Sequence, residues 1–381
     1  MAKVITNYPY LTVHGKRYHY IWLRDNCLCP KCYYPTSWQK NHDISEYMAN
    51  NSSPKPLNVE LTDEKLLVDW DENPSHRSIF PIDWLMSHAY DGNQEVQPTR
   101  ERILWDKAWL DAHPPTWVDA QSENRQTWTN QLLTFGFTVI KNFRLEDLNN
   151  FLSSIGPTYY LAKNGPYSTV KANPKATDLS LSAEGNELLP HTDTTYISTP
   201  PLVQLLYCVE NLATGGESVL LDGFRVARDF QQHHPEYFEI LTQVPVKFEQ
   251  FYPQWEYYVS HTTPIIELDK DGLVISIYFS HKNFGSQLPF DRVEKFYEAY
   301  NAFFHYLKNP AYQYWFRLEA GDCLLVENFR VLHGRKKFDP SSGVRHLEVA
   351  YLDWQYLVGR EDFHRLKHLY QSISGQEINL K

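Results

Sequence analysis

The amino-acid sequence predicts a mainly β fold of the α+β class, a sandwich or barrel with helices packed on its outside. Short strand-like runs bounded by turn residues outnumber the helical segments, and strands and helices do not alternate regularly. A doubly wound parallel sheet requires that alternation, so the pattern argues against it. The chain has 381 residues, 42% of them hydrophobic, which favours two folded domains, one small and one large.

Residues 1–95 are expected to form the smaller domain, from short strands joined by turns. The strand-like runs in it are Tyr10–Val13, Tyr18–Leu23 and Leu66–Trp70. Residues 35–60 are polar and rich in turn residues, which predicts a mobile surface loop. Residues 96–120 are interpreted as a linker to a larger domain over residues 121–381.

The larger domain is expected to begin with a helix over Ser122–Phe135, which Gly136 ends. Residues 222–244 are helical with a break near Pro235, and Asp291–Leu307 has apolar side chains at a helical period. The expected strands are Phe137–Ile140, Leu202–Val209, Val219–Leu221, Pro264–Glu267, Leu273–Phe279, Cys323–Glu327 and Leu347–Leu352.

The composition indicates which partners the protein has. The formal net charge of −10 disfavours broad binding to nucleic acid or to anionic membranes, because both need a basic surface. The sequence has no run of 18 apolar residues, and its N-terminus lacks the apolar segment of a signal peptide. We therefore expect a cytoplasmic protein that acts on a small molecule, with neither nucleic-acid nor membrane partners.

Three of the five cysteines, Cys27, Cys29 and Cys32, lie within six residues. Thiolates suit zinc, and this spacing lets three of them point into one tight loop. His76 is the best candidate for the fourth ligand of a closed, structural zinc site. The alternatives are three reduced thiols in a buried loop and a redox motif at Cys29 and Cys32, although such a motif normally opens a helix after a strand.

A second metal site is predicted from His191 and Asp193. Side chains two residues apart on an extended segment face the same side, so both can bind one ion. His333, directly before a glycine at the end of an apolar run, would complete a triad of two histidines and one carboxylate. That triad leaves coordination positions open for a cosubstrate and O2. Arg345 could bind a cosubstrate carboxylate through both guanidinium nitrogens.

The His-x-Asp pattern is weak by itself, because about one occurrence is expected by chance in such a chain. The formal rivals are His346 with Glu348 and His234 with Glu236. Pro235 disturbs the second pair, and the first lacks a distant histidine in a comparable turn. The strand, Gly-Gly turn, strand and helix that follow Asp193 favour the triad over both rivals.

With these motifs the sequence resembles the γ-butyrobetaine hydroxylase and trimethyllysine hydroxylase family, within the taurine-dioxygenase-like oxygenases that use iron(II) and 2-oxoglutarate. The similar blocks cover nearly the whole chain, in the family's order. In the N-terminal part they are WLRDNCLCPKC and NPSHRSIFPIDWL. In the remainder they are PHTD, PPLVQLLYCVENLATGGES, LLDGFRVA, IIELDKDG, GDCLLVENFRVLHGRKKF and RHLEVAYLDW.

The resemblance implies a double-stranded β-helix, or jelly-roll, catalytic domain and a small N-terminal zinc-binding β domain. The implied ligands are Cys27, Cys29, Cys32 and His76 for zinc and His191, Asp193 and His333 for iron. Arg345 matches the arginine that binds 2-oxoglutarate, and Ser218 matches a hydroxyl residue that helps to hold it. Family members often dimerise, so we expect a homodimer.

Enzymes of this family convert 2-oxoglutarate and O2 to succinate and CO2 while they hydroxylate a C–H bond, and ascorbate helps them in vitro. Asp193 favours hydroxylation here, because related halogenases lack this carboxylate. Desaturation and ring formation remain alternatives within the same cofactor class. A non-enzymatic binding protein and a zinc-module adaptor are alternatives from other classes, and the intact triad with Arg345 speaks against the first.

The expected substrate differs from those of the named family. Betaine and trimethyllysine enzymes hold a trimethylammonium group in an aromatic cage through cation–π attraction. The cage position after the arginine is kept as Tyr351, but the stretch before the iron ligands has a single aromatic residue, Tyr167. Ser168 and Ser182 stand where the family has rings. We therefore expect that neither γ-butyrobetaine nor trimethyllysine is the natural substrate.

Polar groups of the same stretch suit a substrate that donates hydrogen bonds, such as a primary amine or a guanidinium. The nearby carboxylates are Asp178, Glu184 and Glu187. An amino-acid-like or amine-containing metabolite is the expected substrate class. Tyr196, or an aromatic residue of the run 251–255, could supply further rings and rebuild a cage.

Overall fold

The structure is a computed structural model. It describes residues 4–34, 37–50, 53–91, 102–122, 125–159, 167–172, 185–199, 202–253, 256–285 and 287–374. The chain divides into two compact units. The smaller unit contains Met1–Thr99 together with Gly359–Lys381, and the larger unit is Arg100–Val358.

These boundaries differ from the expected ones at two places. The predicted linker, residues 96–120, belongs to the larger unit from Arg100 onward, and its residues 96–101 lie outside the described residues. Trp105 explains the difference, because it is fully buried and its indole N–H donates a 2.7 Å hydrogen bond to the carbonyl of Phe135. The C-terminal segment from Gly359 groups with the smaller unit rather than with the larger one.

The smaller unit contains two antiparallel sheets of three strands each, with strand orders β1-β2-β3 and β4-β5-β6. Its strands are β1 (Ile5–Asn7), β2 (Tyr10–Val13), β3 (Lys16–His19), β4 (Pro56–Leu61), β5 (Lys65–Trp70) and β6 (His76–Pro81). Its short helices are α1 (Tyr20–Asp25), α2 (Ile44–Asn50) and α3 (Ile82–Ser87). Side chains from both sheets and from α1 and α3 form one apolar core.

Two predictions for the smaller unit are wrong. The run Tyr18–Leu23 is not one strand: β3 ends at His19, and α1 buries Tyr20 and Leu23, three residues apart on one helix face. The predicted loop over residues 35–60 contains α2 and the start of β4 among its described residues. The Asp43 carboxylate accepts a 2.8 Å hydrogen bond from the N–H of Ser45 where α2 begins.

Two β-sheets form the framework of the larger unit. Their strand orders are β7-β8-β19-β11-β22-β9 and β10-β20-β13-β18. These strands are β7 (Val118–Asp119), β8 (Phe137–Lys141), β9 (Ser168–Lys171), β10 (Leu188–His191), β11 (Val203–Asn211), β13 (Ser218–Asp222), β18 (Tyr314–Phe316), β19 (Cys323–Glu327), β20 (Val331–Arg335) and β22 (Arg345–Leu352). Apolar side chains from both sheets share one core, so the predicted jelly-roll is confirmed.

Shorter strands extend this framework as two-stranded pairs. They are β12 (Thr214–Gly215), β14 (Val246–Tyr252), β15 (Tyr257–Thr263), β16 (Ile266–Leu268), β17 (Val274–Ile277) and β21 (Phe338–Asp339). The pairs are β12 with β21, β14 with β15, and β16 with β17. The last of them is the hairpin that the sequence predicts, with Gly272 at φ +81° in its turn.

Helices cover the outer faces of the two sheets, as the sequence predicts. They are α4 (Lys107–Ala112), α5 (Arg125–Phe135), α6 (Leu148–Ile155), α7 (Gly223–His233), α8 (Pro235–Gln243) and α9 (Val293–Lys308). A further helix, α10 (Trp354–Ser374), begins in the larger unit and groups with the smaller unit from Gly359 onward. Pro235 begins α8 and so explains the predicted break, since proline is tolerated only in the first turn. The described helices are each too short or too polar to traverse a lipid bilayer.

Candidate functional site

The three predicted iron ligands meet where β10 pairs with β20. His191 and His333 are direct partners across these antiparallel strands, and their ring centroids lie 4.6 Å apart. Asp193 follows β10, and its carboxylate oxygens lie 3.2 Å from Nε2 of His191 and 3.5 Å from Nε2 of His333. One ligand atom from each residue can therefore reach a single ion.

A backbone contact sets the orientation of His191. Its Nδ1 lies 2.7 Å from the carbonyl oxygen of Leu189, which only an Nδ1–H can satisfy by donating. Nε2 is then left with its lone pair facing Asp193. Burial, followed by the charge of Lys282, lowers the pKa of His191 to about 3, so the imidazole stays neutral. A neutral imidazole is the form that binds a metal.

Four hydrogen bonds hold Asp193 in place. The hydroxyl of Tyr351 and the side-chain amide of Gln204 each donate to Oδ2 at 2.7 Å. The side chain of Asn328 accepts from the Asp193 N–H and donates to its carbonyl, both at 2.9 Å. Since two donors occupy Oδ2, the oxygen with most capacity left for a metal is Oδ1.

The carboxylate remains ionised. Burial by itself would raise the pKa of Asp193, but its close contacts with His191 and His333 and the charge of Lys282 hold that pKa well below its ordinary value. The Nζ of Lys282 lies 2.9 Å from Nε2 of His191 and 3.8 Å from Oδ1 of Asp193. The proposed ligand atoms of His191 and Asp193 thus already lie beside one cation, the Lys282 ammonium. Two imidazoles and one carboxylate fit iron(II).

A cavity of about 350 Å³ opens beside the triad. Arg345 lines it, is 6% exposed, and keeps its Nε without a hydrogen-bond partner among the described residues. Burial lowers the pKa of Arg345 to about 10, so the guanidinium stays charged at neutral pH. No described carboxylate lies within ion-pair distance of it. A buried cation of this kind fits a cosubstrate carboxylate, as expected for 2-oxoglutarate.

Ser218 also lines the cavity, at the start of β13. In the sheet register it stands opposite Arg335, whose side chain contributes a second guanidinium to the cavity wall. Arg335 donates a 3.0 Å hydrogen bond to the carbonyl of Asn186. Ser218, Arg335 and Arg345 therefore form one polar side of the cavity.

Some of the predicted substrate-binding residues line the cavity and one of them does not. Tyr351 and Tyr196 line the cavity, together with Ser168 and with Tyr252, whose hydroxyl lies 3.1 Å from that of Tyr196. Tyr167 is not among the described lining residues and packs instead against the core beneath the six-stranded sheet. The described part of the cavity thus has three tyrosine rings.

The remaining substrate-contact candidates from the sequence are not part of the described cavity lining. Ser182, Asp178 and Glu184 lie outside the described residues. Glu187 is exposed and absent from the described cavity lining. In the described lining, Asp193 is the single acidic side chain.

Residues that the sequence reasoning missed complete the site. Gln204 had a usable signal, because it is an amide within the apolar run of β11. Asn328 lies in the block NFRVLHG, five residues before His333, but has no ligand-type side chain to mark it. Lys282 carries no local pattern that points to this cavity, whereas Tyr252 belongs to the aromatic run 251–255 that the sequence offers as a candidate source of further rings.

The two residues of the rival motif, His346 and Glu348, contact each other. Its Nε2 lies 2.9 Å from the Glu348 carboxylate, which also accepts hydrogen bonds of 2.9 and 3.1 Å from the hydroxyl of Thr169. Among the described residues these side chains gain no third metal ligand. The pair is a partly buried polar contact rather than a metal site.

The cysteine cluster converges in the smaller unit. Nε2 of His76 lies 3.1, 3.7 and 3.6 Å from the sulfurs of Cys27, Cys29 and Cys32. Sulfur and nitrogen ligands of one tetrahedral zinc ion lie about 3.5 Å apart, because the bonds are about 2.3 Å and 2.0 Å long. The hydrogen bond with Cys27, together with the contact with His76, lowers the pKa of Cys32 to about 3 even though burial raises it. The donor set therefore fits zinc.

Two charged side chains surround this cluster. Arg24 contacts the sulfur of Cys32 at 3.5 Å and forms an ion pair with Glu72 at 3.2 Å. Glu72 in turn lies 3.9 Å from Nδ1 of His76. A carboxylate on the far side of a histidine ligand and a cation beside a thiolate are common supports of metal sites.

Comparisons with known proteins agree with this chemistry. Residues 95–351 match the family described as "Taurine catabolism dioxygenase TauD, TfdA family", and residues 10–86 match "Gamma-butyrobetaine hydroxylase-like, N-terminal". The mitochondrial trimethyllysine dioxygenase of Rattus norvegicus is 30% identical over 355 residues, covering 88% of this chain and 80% of the relative. The gamma-butyrobetaine dioxygenase of Homo sapiens is 28% identical over 356 residues, covering 90% of each.

A jelly-roll whose paired strands bring together two histidines and a carboxylate, beside a buried arginine, defines a non-haem iron(II) oxygenase. The chain belongs to the TauD, TfdA dioxygenase family, whose model covers more than half of its length. It is an iron(II)- and 2-oxoglutarate-dependent dioxygenase, with O2 as the oxidant.

Proposed function

We propose that this dioxygenase hydroxylates an unactivated C–H bond of a small, polar, amino-acid-like or amine-containing metabolite, with release of succinate and CO2. The observation that carries the proposal is the cluster of His191, Asp193 and His333 at the wall of a cavity that Arg345 also lines. The cavity is near the lower end of the usual 300–1,000 Å³ range, about the size for a cosubstrate and one small metabolite.

Each group of residues has a role in this proposal. When bound, iron(II) with 2-oxoglutarate and O2 supplies the oxidising chemistry. His191, Asp193 and His333 hold the metal, while Tyr351 and Gln204 keep the Asp193 carboxylate in one orientation. Arg345 and Ser218 receive the cosubstrate. Apolar side chains that line the same cavity limit the access of water and fix the substrate position.

The substrates of the relatives define a second candidate function. Their names assign them trimethyllysine and γ-butyrobetaine. Tyr196, Tyr252 and Tyr351 favour an ammonium-bearing substrate, because ring faces attract cations. Ser168 lines the cavity where the family is expected to have a ring. We keep the expectation that neither named compound is the natural substrate, with hydroxylation of a trimethylammonium compound as the second candidate.

A screen of small amines, amino acids and betaines tests this choice. The purified protein, with iron(II), 2-oxoglutarate and ascorbate, should release succinate faster with an amino-acid-like compound that lacks a trimethylammonium group than with γ-butyrobetaine or trimethyllysine. Product mass separates the possible outcomes. Hydroxylation adds one oxygen atom to the substrate, whereas desaturation and ring formation each remove two hydrogen atoms. Efficient hydroxylation of γ-butyrobetaine or trimethyllysine would overturn the expected substrate class and leave the second candidate.

Replacing Arg345 by alanine should weaken 2-oxoglutarate binding by about a hundredfold or more. The cosubstrate carboxylate would lose charged hydrogen bonds of about 1.5–3 kcal/mol each, and about 1.4 kcal/mol corresponds to tenfold. Isothermal titration of the iron-loaded protein without O2 measures the dissociation constant. Arg335→Ala is the matched control, because Arg335 lines the same side of the cavity. An unchanged constant in Arg345→Ala with a loss in Arg335→Ala would transfer the role to Arg335.

We also propose that Cys27, Cys29, Cys32 and His76 hold one structural zinc ion. Four protein ligands leave no open coordination position, so this metal would stabilise the smaller unit rather than take part in catalysis. A homodimer and a cytoplasmic location remain predictions, which light scattering and cell fractionation can test.

A further inference from the structure

The cavity has an excess of positive charge. Among its described lining residues, three are cationic, namely Lys282, Arg335 and Arg345, and one is acidic, namely Asp193. Iron(II) would add two positive charges, and dianionic 2-oxoglutarate would cancel them. Arg345 is assigned to the cosubstrate, so Lys282 is the described cation of the lining that lies beside the metal ligands, in a cavity where charges are costly unless they are paired.

Lys282 is the cation whose partners among the described residues would be taken over by iron. Its side chain is 17% exposed, and its Nζ is near two groups, Nε2 of His191 and Oδ1 of Asp193. Both groups are proposed metal ligands, so a bound metal would occupy their lone pairs and repel the ammonium. The flexible lysine side chain can turn away from the metal into the adjacent cavity, which it already lines.

Two sets of hydrogen bonds hold the backbone around Lys282. On one side, Thr192, which lies between two iron ligands, exchanges hydrogen bonds with Phe279, including its N–H to the Phe279 carbonyl at 2.8 Å. On the other side, the N–H of Glu249 donates to the carbonyl of Asn283 at 2.9 Å, and the side chain of Asn283 donates to Gln250. The lysine is therefore presented from a fixed turn rather than from a free loop.

We infer that Lys282 binds an anionic group of the organic substrate, a carboxylate in the first place. This inference rests on the proposed function and narrows its substrate class to carboxylate-bearing metabolites. Tyr196 and Tyr252 line the same cavity and can face an ammonium group, so an amino acid or another zwitterion would satisfy both ends. An amine without an anionic group would offer the Lys282 ammonium no partner of opposite charge.

Matched pairs of probes test the inference, each a carboxylate and its carboxamide: L-lysine and L-lysinamide, norleucine and norleucinamide, γ-butyrobetaine and its carboxamide. Dissociation constants are measured by titration calorimetry without O2, on protein loaded with iron(II) and 2-oxoglutarate. At least one carboxylate should bind about tenfold to a hundredfold tighter than its amide, as one charged hydrogen bond provides. Lys282→Met should abolish this preference, and Lys282→Arg should retain it.

Lys247→Met is the control, because the Lys247 ammonium already pairs with Glu249 at 3.1 Å and is absent from the described cavity lining. This variant should keep the carboxylate preference. Equal binding of both members of every pair, no binding by any carboxylate, or a preference that survives Lys282→Met would overturn the inference. Weaker 2-oxoglutarate binding in Lys282→Met would instead assign the ammonium to the cosubstrate and also overturn it. If only amines without an anionic group stimulated succinate release, the inference about Lys282 would be wrong, whereas the proposed function would still hold.

Discussion

Alanine at His191, Asp193 or His333 should lower substrate-stimulated succinate formation by more than about a hundredfold, which exceeds the 10–100-fold cost of losing an outer support of a metal ligand. The three side chains supply the metal-binding atoms, and two remaining ligands leave a weak, mobile site. Succinate formation is measured at saturating iron(II), and iron content is measured by elemental analysis. The melting temperature should change little, because the strands β10 and β20 keep their backbone pairing.

His234→Ala is the matched control for these variants. His234 belongs to the rival His-x-Glu pattern, and it lies between α7 and α8, away from the described cavity lining. This variant should retain normal succinate formation and iron content. Near-normal succinate formation in any one of the three alanine variants would remove that residue from the proposed triad.

Local sequence predicts an element well where a strong local signal and burial agree. The strand Cys323–Glu327 has the predicted bounds, because all five residues are buried and the run is apolar. Gly136, at φ +79°, ends α5 as expected, since glycine adopts this backbone conformation without strain. The run Tyr18–Leu23 misleads because its aromatic and β-branched residues favour a strand, whereas tertiary burial of Tyr20 selects a helix.

A residue of the candidate site can be predicted from the sequence when its side chain is of a metal-ligand type and stands at a known spacing. His191, Asp193 and His333 are ligand types at a recognisable spacing, and the family resemblance pairs the distant histidine with the other two. Lys282 and Tyr252 reach the cavity through the packing of β14 against the turn after β17. No local pattern encodes that packing, because it depends on the register of segments far apart in the chain.

The position of Asn328 illustrates how the fold supports the chemistry. Asn328 is fully buried directly after β19, in the turn that leads to β20, and it binds both backbone groups of Asp193 with its amide. The strand that carries His333 is thereby tied to the segment that carries the carboxylate. Such a bond restricts the separation of the ligands before a metal arrives, which reduces the entropy lost on metal binding.

The second large effect concerns the smaller unit. Cys29→Ser should remove the zinc ion and lower the melting temperature of this unit by more than about 10 °C. A structural zinc ion contributes about 10 kcal/mol or more in small zinc-binding folds. A unit of this size shifts by about 4–8 °C for each kcal/mol lost. Elemental analysis measures zinc per chain, and calorimetry follows the unfolding of the two units.

Cys323→Ala is the control, since it removes a buried thiol of the larger unit, outside the cluster. It should keep one zinc ion per chain, and any loss of stability should appear in the larger unit. A mild chelator should strip iron from the unaltered protein and leave this zinc in place, because a closed site of four protein ligands exchanges slowly. Freshly purified protein without zinc, or Cys29→Ser protein with unchanged zinc content, would refute the structural zinc site. If zinc were lost while the smaller unit kept its melting temperature, the metal would bind there without stabilising the fold.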